Sequence, residues 1–240
     1  MRGHMFKSVF GKTKSWLGFG RTVGFIWLIA FVAVRVFDPA PLQFFRLKLF
    51  DFYQVVMPRE VTPQPVIVVD IDEESLEAFG QWPWPRTRVA ELVTAIARQG
   101  AVAMAFDIVF SEPDNLSPER IADSIPGLDP LTRTNLKNMQ TNDQVLAAAL
   151  ASTRVIVGQS GKLSERDNAN QERNQTSIAT LGGDPVPYLI QYPGLLRNVD
   201  ELERNAAGRA LFNVLPQLGG VVRRVPLLMM ADGLILPSLV

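Results

Sequence analysis

The chain has no cysteine and a single histidine, His4. Without cysteine there are no disulfide scaffolds, thiolate metal sites or thiol nucleophiles. One imidazole, in a basic N-terminal tail, argues against a Ser-His-Asp triad and against a histidine-rich metal centre. Three glycine motifs are also missing: Gly-x-Gly-x-x-Gly, Gly-x-x-x-x-Gly-Lys-Ser/Thr and the Gly-x-Ser-x-Gly elbow. Gly158-Gln-Ser160-Gly161 has the right residue types at the wrong spacing. No catalytic apparatus and no resident cofactor are expected within these 240 residues. Acid is absent from residues 1–37, which carry six Arg or Lys. The remaining residues hold 18 basic and 24 acidic side chains, a net of −6. An acidic body repels the phosphate backbone, so no nucleic-acid partner is expected.

What is present early is a greasy run. Thr22 to Phe37 reads TVGFIWLIAFVAVRVF, and its one charge, Arg35, sits near an end where a long side chain can snorkel to headgroups. Trp16 and Phe19 before it and Phe37 at its close are placed as interfacial aromatics. Its sixteen residues fall just short of the ~17–25 that a spanning helix needs. The preceding stretch from Trp16 completes the length if Arg21 lies near an interface. A run apolar on every side is unlike a surface helix of a soluble protein. A cleaved signal peptide shares the basic start and apolar core, but no A-x-A-like site follows, and an uncleaved anchor is the better reading. Five cations precede the run, so the positive-inside rule keeps residues 1–21 cytoplasmic, makes 22–37 the anchor and exports everything after about Asp38. The expected location is the cell (inner) membrane, with a periplasmic or extracellular body.

Residues 42–57 read LQFFRLKLFDFYQVVM, with Leu42, Phe45, Leu49, Phe52 and Val56 at helical spacing. This amphipathic helix suits either a membrane surface or a cover over the core of the exported domain. Pro58, Pro63 and Pro65 end it, and residues 58–240 form the body.

The body alternates. Val66 to Ile71 (VIVVDI) is a strand-length, β-branched run of the kind buried on both faces of a parallel sheet. Asp72-Glu73-Glu74-Ser75 opens a short helix that Gly80 stops. Arg86 to Gly100 is an amphipathic helix, and Ala101 to Phe110 (AVAMAFDIVF) a second buried strand, completing a βαβ unit. A polar loop is expected from Ser111 to Asn142, with a helical turn near 118–122, then a helix over 143–152 and a third strand over 154–158. A polar insert runs over 160–184. Asn115-Leu-Ser117 and Asn174-Gln-Thr176 match a glycosylation sequon short enough to arise by chance. Beyond Ala210, short apolar runs separated by Gly219-Gly220 and Asp232-Gly233 predict a β-meander. The fold class expected is therefore α/β: a membrane helix, then a mainly parallel sheet with a C-terminal meander. The chain ends at Val240 inside an apparent strand, as a fragment of a longer protein would.

Two groups of residues could carry chemistry. Asp70 and Asp72 lie at the carboxyl end of the first expected strand and Asp107 in the second. Ligands of open α/β sheets bind outside those ends. Three converging carboxylates would form a site for a divalent cation, or a proton-sharing cluster sensitive to pH. The plainer alternative has Asp70 or Asp107 pairing with Arg86 or Arg88 while Asp72 caps a helix. The second group is Gln81-Trp-Pro-Trp-Pro-Arg86, in which two prolines restrain Trp82 and Trp84. Rigid aromatics beside Arg86 suit a recognition surface or a plug over the strand ends.

VVDIDEESLEAFGQWPWPR followed by GAVAMAFDIVFSEPD resembles the type-2 CHASE domain, the cyclase- and histidine-kinase-associated extracellular sensory domain. GRALFNVLPQLGGVVRRVPLLM fits its later pattern, with Gln217-Leu-Gly-Gly where an acidic Asp-Gly turn is usual, and LFDFYQVVMPR fits its start. The resemblance covers residues 42–240 and includes Asp70, Asp72, Trp82, Trp84, Arg86 and Asp107 as motif positions, without binding roles. It implies a bacterial receptor: an anchor, an extracytoplasmic sensor for an unidentified stimulus, further membrane helices, and an output beyond Val240. That output is most often an adenylate or guanylate cyclase, otherwise a kinase or a diguanylate cyclase. Cyclase catalysis brings two cytoplasmic domains together, so the resemblance also implies a homodimer. Outside the resemblance, a membrane-anchored envelope interaction protein and an exported metal-dependent enzyme are the competing readings.

Overall fold

The computed structural model describes residues 18–58, 60, 66–164, 178–215 and 219–239. His4, Trp16, most of the basic tail, Asn174 and Gln217 lie outside the described residues. The chain divides into two compact units, residues 1–69 and 70–240.

The first unit is two consecutive helices. Helix α1 (Phe19–Phe37) contains the apolar run, and its Gly20–Phe37 stretch is long and apolar enough to cross a membrane, with a mean hydropathy of 1.7 over 18 residues. Arg35 in its last turn complements the negative end of the helix dipole. The helix stops at Asp38, which takes the left-handed conformation (φ 38°, ψ 63°), one of the few residue types that does so at small cost. Pro39 then caps α2 (Ala40–Val56), with Pro41 in the first turn where no amide donor is needed. The corner is tied by Arg46 Nη2 to Asp38 Oδ2 at 2.9 Å and by Gln43 Nε2 to the Asp38 carbonyl at 2.9 Å. Helix α2 buries no residue.

The second unit begins without regular secondary structure at Asp70 and Ile71. Asp72 caps α3 (Glu73–Phe79), accepting from the Ser75 N–H at 2.9 Å and the Ser75 hydroxyl at 2.6 Å, and Gly80 ends it at φ 91°. After Trp82-Pro83-Trp84-Pro85, α4 (Arg86–Arg98) buries Val89, Ala90 and Val93. Strand β1 (Met104–Phe106) follows. The stretch expected to be a polar loop with a helical turn near 118–122 contains two helices, α5 (Pro118–Ser124) at that turn and α6 (Pro130–Lys137), started by Ser117 and Asp129 just before prolines. Helix α7 (Asn142–Ala151) opens on a capping box between Thr141 and Gln144. It buries Leu146, Ala147 and Leu150 in one core with Val89, Val93, Phe110, Val155 and Val157. Full burial of each Val or Leu there is worth about 1.5–3 kcal/mol.

Strand β2 (Val155–Lys162) organises the first sheet. Its first half runs parallel to β1 and to β5 (Gly208–Leu211), while Ser160 to Lys162 run antiparallel to β4 (Gly194–Leu196). Helix α8 (Asp200–Asn205) links β4 to β5. Gly158 has no room for a side chain, since a Cβ there would meet the Phe106 carbonyl oxygen and the Phe212 ring. A second sheet pairs β3 (Gln191–Tyr192) in parallel with β6 (Leu228–Ala231), and β6 in an antiparallel hairpin with β7 (Leu234–Pro237). Asp232 and Gly233 turn that hairpin, both at positive φ (50° and 76°), the geometry a two-residue type I′ turn requires. Tyr192, Leu195, Leu211, Met229, Ala231 and Leu236 form its core.

Two expectations are corrected. The sheets are mixed, not mainly parallel, because β2 is long enough to serve parallel partners with one half and an antiparallel one with the other, and β6 turns back on itself. Val66 to Ile71 forms no regular element and pairs with no strand among the described residues, and Ile67 and Val68 are each 86% exposed. Strand propensity describes how well side chains suit a pleated surface; without a paired neighbour it does not make a strand.

Candidate functional site

The expected carboxylates do not form a common cluster. Asp72 is engaged as the α3 cap, and the Ser75 hydroxyl, with the Ser75 N–H, holds its carboxyl below the usual carboxylate range. Asp70 and Asp107 are exposed. Among the described residues, no group of three or more His, Cys, Asp or Glu side chains is arranged to hold a metal ion.

Trp82, Trp84 and Arg86 are brought together. Trp84 is buried and donates its indole N–H to the Gly80 carbonyl at 2.7 Å. Its ring meets Phe79 edge-on at 5.7 Å and Trp82 at 6.0 Å. Trp82 keeps 37% of its surface exposed, on the rim of this aromatic group. The block thus both plugs and presents: Trp84 fills space under α3, and Trp82 offers a ring to solvent.

Arg86 begins a buried ionic network at the carboxyl end of the sheet. Its guanidinium stacks over the Phe110 ring at 4.4 Å, and Nε faces Asp143 Oδ1 at 3.6 Å. Among the described residues neither of those two atoms has a closer polar partner, so each faces the opposite charge of the other. The Arg86 backbone N–H donates to Asp114 Oδ2 at 2.7 Å, Asn142 Nδ2 to the same oxygen at 2.9 Å, and the Asp114 N–H to Asp143 Oδ2 at 2.8 Å. Burial pushes the Asp114 carboxyl up. The N–H groups of Arg86 and Leu116, the Asn142 amide and the Arg86 charge outweigh that and hold it below its ordinary value. Burial likewise pulls the Arg86 guanidinium down, opposed by the charges of Asp143 and Asp114.

A second buried network adjoins it through Phe110. The Phe110 N–H donates to Asn198 Oδ1 at 2.7 Å, and Asn198 Nδ2 donates to the Gly158 carbonyl at 2.9 Å. The Asn198 N–H reaches Glu203 Oε1 at 3.1 Å. Glu203 is fully buried and is approached by Arg197 Nη2 at 2.5 Å, Gln159 Nε2 at 2.5 Å and Arg209 Nη1 at 3.7 Å. This chain of contacts ties the start of α4, the loop after β1, the start of α7, the middle of β2 and α8. Buried ion pairs contribute little net stability, but losing one partner is expensive, so such a network fixes relative position more than it stabilises.

The sequence points to the carboxyl ends of the strands as a ligand site; what the structure has just past the end of β1 is buried charge. The buried carboxylates are Asp114, Asp143 and Glu203, none of them singled out in the sequence: Glu203 lies in a segment for which no element is expected, whereas Asp114 falls in the expected polar loop and Asp143 at the start of an expected helix. Two signals pointed at them. Ser111-Glu-Pro-Asp114 follows the second apolar run directly, and Thr141-x-x-Gln144 is a capping-box pattern. Arg88, the other candidate partner for Asp70 or Asp107, pairs with Glu91 at 3.4 Å instead.

Residues 25–240 match the CHASE2 domain family, most of the chain. The chain belongs to that family. CHASE2 domains are extracellular sensory domains of signalling receptors. No curated protein and no solved structure matches the chain. In this CHASE2 domain the Trp-Pro-Trp-Pro-Arg block and the Phe-Asp-Ile-Val-Phe block are not separate features. Arg86 of the first lies on Phe110 of the second, and Phe110 also packs edge-on against Phe106 at 5.5 Å. Away from this junction, an open polar groove of about 890 Å³ between α5 and α6 is lined by Asn115, Glu119, Arg120, Asp123, Ser124 and Lys137.

Proposed function

We propose that this CHASE2 domain is the signal-input part of a receptor in the inner membrane, with a cytoplasmic N-terminus, α1 as anchor and the body exported. The output it controls is an adenylate or guanylate cyclase encoded beyond residue 240, active when two copies associate. The family match over residues 25–240 carries this reading. It is supported by the span-length helix at the N-terminal end of the match and by the five cations that precede Thr22. A receptor of this kind works only if its stimulus binds two conformations with different affinity. The Arg86–Phe110–Glu203 network suits that role because it joins several elements through contacts that are costly to lose singly.

Two measurements test the proposal. Alkaline phosphatase fused after Val66 should be active in cells and β-galactosidase at the same point inactive; the reverse pattern overturns the orientation. Membranes from cells expressing the complete reading frame should make cyclic AMP or cyclic GMP, and a phosphorylated protein or cyclic di-GMP instead would transfer the output to a kinase or a diguanylate cyclase.

A further inference from the structure

Among the described residues, helix α2 has an apolar face with nothing packed on it, and the face has a particular design. At 3.6 residues per turn, Leu42, Phe45, Leu49, Phe52, Tyr53 and Val56 share one continuous sector of roughly 100°. All six are exposed, Phe45 at 70% and Phe52 at 59%. Lys48 borders one edge of the sector and Arg46 the other, while Gln43, Asp51 and Gln54 lie opposite. Phe44, Leu47, Phe50 and Val55 fall outside the sector, Leu47 half-buried on the opposite side, and Phe44 lies beneath the Lys48 ammonium at 5.6 Å. Cations flanking an aromatic-rich sector allow long side chains to reach lipid phosphates while the rings sink between acyl chains. Only Asp38 and Pro39 separate this helix from α1, and the Arg46–Asp38 ion pair ties its first turns to that corner.

We propose that α2 is an interfacial helix, lying in the headgroup layer of the outer leaflet with the Phe45–Phe52 sector toward the acyl chains and with Arg46 and Lys48 on phosphates. The occupant of this face is the lipid surface, favoured over a protein partner by direct continuity with the anchor and by the two bordering cations. The inference rests on the reading of α1 as a membrane span.

The absence of cysteine makes the test direct. Single variants Phe45→Cys, Leu49→Cys, Phe52→Cys, Gln54→Cys and, in α1, Ile29→Cys would be nitroxide-labelled in the full chain. Each would be reconstituted into vesicles of phosphatidylethanolamine and phosphatidylglycerol. Collision rates with oxygen, which partitions into lipid, and with a water-soluble nickel chelate give depth. Oxygen should dominate at residues 45, 49, 52 and 29, and nickel at 54, an inversion of the ratio across one helix. Shielding of 45, 49 and 52 from both reagents would mean protein covers the face and would overturn the proposal, as would nickel dominance at all three. Either result with Ile29 still in oxygen-rich surroundings defeats the interfacial helix alone. Nickel dominance at Ile29 defeats the anchor reading and this inference with it. Having three labels in the sector keeps the outcome readable if one substitution unfolds the helix.

Discussion

At the residue scale, Arg86 decides most. Its guanidinium covers Phe110, opposes Asp143 and lies beside Asp114, all largely out of water. Arg86→Met keeps the length but leaves two carboxylates without their cation, and we expect a loss of about 3–5 kcal/mol in thermal or urea unfolding of the detergent-solubilised chain. Adding Asp143→Asn should cost less than the sum of the single changes, because the pair shares one interaction. Asp114 supplies a pH dependence with a definite sign. Its carboxyl titrates lower in the folded chain than the usual ~3.9, so it contributes stability above that value and loses it as pH falls through the folded pKa. In Asp114→Asn this part of the acid limb of the stability curve should disappear, measured as melting temperature against pH. Some of this was legible from residue types alone. Asp72 ahead of Glu-Glu-Ser reads as a helix cap and is one. The partners of Arg86 were not legible, since contact across a folded sheet edge leaves no periodic trace in the chain.

At the element scale, β2 carries the first sheet, and Gly158, like Gly161 and Gly194, sits where a side chain has no room. A Cβ at Gly158 would lie 2.8 Å from the Phe212 ring, besides meeting the Phe106 carbonyl. Gly158→Ala should therefore destabilise by about 1–3 kcal/mol, the cost of overpacking a filled site, read as a lower urea midpoint with unchanged slope. Legibility here follows the strength of local signals. The apolar run of α1, the stripe of α4 and the Asp232-Gly233 hairpin are written in period, cap and turn residues, and each formed. Helices α5 and α6 sit in a polar stretch with little apolar periodicity, where Ser117-Pro118 and Asp129-Pro130 were the only start signals. The run Val66 to Ile71 shows the converse: strong composition without a pairing partner among the described residues yields no strand. Parallel and antiparallel pairing cannot be read from one strand's own residues, which is why the mixed sheets differed from the expected parallel one.

For the whole molecule, the proposed direction across a bilayer rests on the cationic start ahead of α1, and the reporter fusions described above test it. One histidine and no cysteine narrow the catalytic options that composition allows. The family was legible in its aromatic-proline and strand-end blocks, whereas the physical reason those blocks occur together appears only in three dimensions. Phe110 is where they meet: its ring lies under Arg86, its N–H is held by Asn198, and its carbonyl accepts from the Val199 N–H at 2.8 Å. Any rearrangement that shifts α4, the Asn198 segment or β1 must therefore disturb the magnetic surroundings of one aromatic ring. A fluorine atom on that ring would serve as a built-in gauge, reporting in a single resonance whether a candidate stimulus had been felt.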